Sequence, residues 1–208
     1  MSKKELRWKP RGPDEIALVL PNDQYPELKK VKRLIVGPGQ RAVLFMEGVP
    51  RPKVLAEGAH EMPKKVRAVV LVNTGPKEGP YGLPIGTVYE SLGFSGKLIL
   101  TIQDGDEDVE NFVNKIVLGQ GITDLGGLVK WLVDNYLVNA FKDAVCSRAL
   151  TEEEFLRGGR EQLIEDVKER VNSYIMEYGL YLENISIPWW ARRQEARSRG
   201  SKAPSHPQ

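Results

Sequence analysis

Gly37-x-Gly39-x-x-Ala42 has the residue types and spacing of a dinucleotide-binding fingerprint. That motif works only where it opens a helix, because the pyrophosphate sits on the helix N-terminus. Ala42 to Met46 reads instead as a short β-rich run, so the glycines predict a β-turn. Asp104-Gly105-Asp106-Glu107-Asp108 has the acidity of a calcium loop. An EF-hand loop places Gly at position 6 and Glu at position 12. Those positions are Val109 and Lys115, which predicts a solvated turn entering a helix. His60 and His206 are the only histidines and Cys146 the only cysteine, so a four-ligand Cys/His zinc site is excluded. His60 is expected to be structural, and Cys146 to be a buried thiol on an apolar helix face. There is no Walker A sequence and no G-x-S-x-G nucleophile motif. The expectation is a non-enzymatic protein with no catalytic, cofactor-binding or metal-binding residue set.

The chemistry that remains belongs to surfaces. Trp189-Trp190 precedes Arg192-Arg193, and Trp8 is flanked by Arg7 and Lys9. Tryptophan favours a membrane–water interface, and an adjacent cation adds about 1 kcal/mol of attraction to anionic lipid. These seven residues are the candidate membrane or partner contacts. The charge distribution points to the same ends. The chain of 208 residues carries a net charge of +2. Residues 1–11 hold five cations against Glu5, and residues 188–208 hold five against Glu195, which leaves −6 between them. An acidic body argues against a nucleic-acid-binding domain, whose basic surface normally belongs to the fold. The basic ends keep a second reading open, a soluble adaptor whose tails bind nucleic acid or an acidic protein.

The elements that must position these residues fall into two halves. The first contains β-rich runs at Ile16–Leu20, Val31–Val36, Ala42–Met46, Lys53–Ala56, Val66–Val72, Thr87–Tyr89 and Lys97–Ile102. Gly, Pro and Asn separate them, including Asn73-Thr74-Gly75-Pro76, as expected of an antiparallel, partly open sheet. The second half changes to helical period. Val109 to Val117, Leu125 to Val145 and Leu163 to Tyr178 each place apolar residues on one face. Tyr174 is counted in the last of these stripes. Thr151-Glu152-Glu153-Glu154 fits a capping box for a further short helix. After Gly179, residues 180–187 read as a strand that returns to the sheet, and Pro188 ends regular structure. The fold class is α+β: a mainly antiparallel sheet over residues 14–103, three or four helices, then one strand. Residues 1–13 and 191–208 read as basic tails outside a domain spanning 14–190. The single cysteine suits a reducing, cytoplasmic compartment. No window approaches the roughly 18 apolar residues that span a bilayer.

Several runs together resemble the stomatin/prohibitin/flotillin (SPFH, or band 7) domain, in its virion-core-protein-like prokaryotic branch. They are Leu34 through Gly48, with Gly37-Pro38-Gly39-Gln40 and Ala42-Val43 inside; Ala56-Glu57-Gly58-Ala59-His60; and Val69 through Asn73. Next come Tyr81-Gly82-Leu83-Pro84-Ile85 and Thr101-Ile102-Gln103-Asp104 with Phe112-Val113. Leu163 onward closes on Tyr178-Gly179-Leu180-Tyr181-Leu182 and Ile185. The order and spacing of these runs cover about residues 14–190. The resemblance implies a scaffold domain that self-associates through the helices at 123–146 and 161–178. It also implies organisation of partner proteins, with peripheral contact at the inner face of the cell membrane.

Overall fold

The computed structural model describes residues 5–86, 91–148, 159–187 and 189–193. Its strands are β1 (Glu5–Arg7), β2 (Ala17–Pro21), β3 (Arg33–Val36), β4 (Gln40–Met46), β5 (Lys53–Leu55) and β6 (Gly58–Glu61). They continue with β7 (Val66–Asn73), β8 (Gly75–Gly86) and β9 (Ser91–Ile102). Then come α1 (Asp106–Phe112), α2 (Leu125–Leu132), α3 (Val138–Arg148) and α4 (Arg160–Ile175). β10 (Leu180–Ile185) and β11 (Trp189–Arg193) end the fold. The class is α+β, as expected. Thr87–Tyr89, Thr151–Glu154 and residues 194–208 lie outside the described residues.

The strands divide among three open sheets rather than one. Their orders are β1-β3-β6, β2-β7-β4-β5, and β8 through β11 arranged about β9. All pairings are antiparallel except β1 with β3, which is parallel. The β2-β7-β4-β5 sheet explains the long apolar run at Val66–Val72. Val70 and Val72 enter one core, while Val69 and Leu71 enter another on the opposite face. A sheet buried on both faces loses the apolar–polar alternation of a half-solvated one. The smaller core also takes Leu34 and Val36 of β3, Leu28 and Trp8. Segment 1–13 is therefore not all tail, since β1 pairs with β3 and Trp8 is only 6% exposed.

The larger core joins the helices to the β8–β11 sheet and to the inner face of β2-β7-β4-β5. α1 touches β4, β5 and β9; α2 and α3 pack on β8; α4 packs on β10. α1 runs on through a wide turn at Val113–Leu118. A second wide turn, Val133–Leu137, joins α2 to α3 without leaving helical backbone, so the predicted long helix is continuous. Asp124 caps its start by accepting a hydrogen bond from Gly127 N at 2.8 Å.

β9 is the spine of the third sheet. β8 pairs along its whole length on one edge, while β10 and then β11 share the other. Regular structure therefore resumes after Pro188. At the step between β10 and β11, Ser186 N donates to Lys97 O at 2.7 Å, and Lys97 N donates to Ser186 Oγ at 3.0 Å.

Candidate functional site

Two helical stretches expected to carry self-association, 123–146 and 161–178, meet at a cluster of four aromatic rings. Trp131 comes from the end of α2, Tyr136 from the wide turn, Tyr174 from α4 and Tyr178 from the 3-10 turn that follows it. Trp131 meets Tyr136 and Tyr178 edge to face, at centroid distances of 5.2 and 5.1 Å. Tyr136 stacks on Tyr174 at 5.9 Å. Such geometries let the positive edge of one ring meet the negative face of another. The wide turn sets Tyr136 beside Trp131, and the Asn135 amide donates to Trp131 O at 2.8 Å within it.

Polar groups tie the cluster down. Tyr136 Oη donates to Tyr178 Oη at 3.0 Å. Burial, followed by that hydrogen bond, raises the Tyr136 phenol well above its ordinary value. Lys115 Nζ sits 5.2 Å from the centre of the Tyr178 ring. It also donates to Glu177 O at 2.8 Å and pairs with the Glu177 carboxylate at 3.3 Å. A cation over a ring and a carbonyl at a helix end are both favourable places for an ammonium group. The outer side is open at Tyr174, which is 60% exposed. Tyr174 thus departs from the buried stripe to which its helical period assigned it. Tyrosine and tryptophan held rigid in this way supply contact area at low entropic cost, as at the energetic centres of protein interfaces.

The other sequence-predicted residues fall elsewhere. Trp8 is in the smaller core and cannot present its ring to a membrane, whereas Arg7 and Lys9 beside it are exposed. Trp189, Trp190, Arg192 and Arg193 have their backbone in β11, paired with Ser95, Phe94, Leu92 and Ser91. Their side chains lie outside the described residues. Gly37-Pro38-Gly39 is the β3–β4 turn: Gln40 N donates to Gly37 O at 3.1 Å, and Gly39 has φ +65°. Pro then Gly at the two central positions suits a type II turn. Asp106, Glu107 and Asp108 occupy the first turn of α1, and Arg41 pairs with Asp104 at 3.4 Å. Among the described residues no three of His, Cys, Asp or Glu are grouped to hold a metal ion. His60 Nε2 is bonded to Ala56 O at 2.8 Å. Cys146 is exposed, contrary to the buried thiol expected, because it lies beside rather than on the apolar stripe of Phe141, Ala144 and Val145. No helix among the described residues is long and apolar enough to cross a membrane.

No protein-family model matches this chain, and no curated protein matches it significantly.

Proposed function

We propose that this chain is a non-enzymatic scaffold domain of SPFH type, acting by self-association and by organising partner proteins at a membrane surface. The observation that carries the reading is the ring cluster with Tyr174 open to solvent. The order of strands, helices and returning strand is in keeping with it. The favoured occupant of the patch is a second copy of the chain. A two-fold contact needs a surface that complements itself. An exposed ring at the edge of a stack, as Tyr174 is, can stack on its own copy about a two-fold axis.

Sedimentation velocity over a wide concentration series tests the proposal. The mass should rise with concentration for the wild type and stay monomeric for Tyr174→Asp. A wild type that remains strictly monomeric at high concentration would sink it.

A further inference from the structure

Two recesses open side by side at the end of the molecule where β2, β4 and β6 finish and β3 and β7 begin. Their volumes are about 1000 and about 710 Å³, and Asn22 and Arg67 line both. The larger is cationic: Lys29, Lys32, Arg33, Lys64, Lys65 and Arg67 face Glu47 and Glu61. Among the described residues only Arg33 of these six makes an ion pair, with Glu5 at 3.1 Å. This concentration of charge stands out against a body that is acidic over residues 12–187.

Lys65 sharpens the point. At φ +64° it is the one non-glycine in the left-handed region among the described residues. A long side chain is a poor occupant of that backbone, and such strain persists where the surrounding structure holds it. Here Lys65 O accepts a hydrogen bond from Glu47 N at 3.0 Å, which fixes the turn with its lysine facing the recess.

The smaller recess has the opposite character. Phe45, Met46, Val49, Pro50, Pro52 and Leu118 line it, and Val49 and Leu118 are 47% and 46% exposed. At the seam, the side-chain oxygen of Asn22 is buried with no hydrogen-bond partner.

We propose that this seam binds an anionic phospholipid. Its phosphate lies among Lys29, Lys32, Lys64 and Lys65. Its acyl chain lies along Phe45, Val49 and Leu118. The unpartnered Asn22 Oδ1 accepts a hydrogen bond from a hydroxyl of the head. A free phosphate would use the cationic recess alone and leave the apolar one without a role. Single-stranded nucleic acid stacks its bases on aromatic rings, and no Phe, Tyr or Trp lines the cationic recess. The inference deepens the membrane side of the proposed function. It shares no residue with the ring cluster, so either can fail without the other.

Co-sedimentation with phosphatidylglycerol vesicles, against phosphatidylcholine vesicles, is the test, with glycerol phosphate titrated separately as the soluble head. Wild type should bind the anionic vesicles and not the neutral ones. Lys64→Glu/Lys65→Asn removes three units of charge while keeping a residue that tolerates the left-handed turn. At about fivefold per unit it should weaken binding by about a hundredfold. Val49→Ser, at an exposed position, should weaken it by about tenfold without altering the fold. The proposal is overturned by equal binding to neutral vesicles, or by no binding at all. It is also overturned if glycerol phosphate binds as tightly as vesicles and Val49→Ser has no effect, which describes a free-anion site. Loss of binding in Trp189→Ala/Trp190→Ala, with the lysine variant behaving as wild type, overturns it as well.

Discussion

Asn172 of α4 holds both backbone polar groups of Leu182 in β10. Its Nδ2 donates to Leu182 O at 3.0 Å, and Leu182 N donates to its Oδ1 at 2.7 Å. A side-chain amide thus completes the pairing of a strand at the position where its register on β9 shifts. The residue is buried, so water cannot take over either bond.

Asn172→Leu is therefore expected to be costly although it adds apolar surface to a core position. Each buried backbone group left unpaired costs about 1–3 kcal/mol. The two together should lower unfolding free energy by roughly 2–6 kcal/mol, read by urea denaturation. A variant as stable as wild type would show that the bonds contribute little.

Gly39 and Gly179 share nearly the same left-handed backbone, with φ +65° and +71°. Their surroundings differ. A Cβ at Gly39 meets nothing within 4 Å, whereas one at Gly179 would lie 2.1 Å from Asp108 O. Gly39→Ala should cost about 1 kcal/mol from conformation alone. Gly179→Ala must also push β10 off α1 and should cost more than about 4 kcal/mol. Equal melting shifts for the two would refute the close approach.

Tyr81 and Tyr136 are both raised above the ordinary phenol value, chiefly by burial. An unfolded tyrosine ionises near pH 10 (about 10 in peptides) while these stay protonated in the fold. The unfolded state then binds fewer protons, so stability is complete below about pH 10 and falls as pH rises above it. Ultraviolet titration should show phenolate forming in two phases, the later one tracking unfolding. In Tyr81→Phe/Tyr136→Phe that later phase should shrink.

Tyr174 is the position where association and stability separate. Its ring is mostly solvent-exposed. Tyr174→Ser should change stability by no more than about 1 kcal/mol, the loss of one stacked pair. It should weaken self-association by about tenfold or more if the ring is an interface anchor. A large thermal destabilisation instead would make Tyr174 a structural residue.

Much of the architecture was legible in the period of the apolar residues. The change from runs of β-formers to helical spacing near Val109 marks the real boundary between sheet and helices. β8 was not legible: Gly75 to Gly86 contains Pro76, Pro80 and Pro84 among its glycines and resembles a loop. It is an edge strand, where proline is tolerated. The spacing of four sends all three missing N–H groups to the open edge, away from β9, and that regularity was the available signal. Of the candidate contacts, Trp8 was misplaced because a ring between two cations reads as interfacial, while only the tertiary fold reveals the apolar pocket that receives it. The ring cluster was half visible. Periodicity located both helices, but the wide turn that brings Tyr136 beside Trp131 leaves no mark in an apolar count. The cationic recess draws its lysines from segments 29–33 and 64–67. No local window of sequence brings these together.

β9 accepts β8 from its immediate neighbourhood but β10 and β11 only after α1 to α4 have intervened. During synthesis its second edge must therefore wait for residues 180–193 to emerge. Until then β9 stands with its second row of backbone groups unpaired, a template for strands of other molecules. Folding of this protein should accordingly be slow to complete and governed by the arrival of β10 and β11. Chains truncated before Leu180 should aggregate rather than merely lose stability.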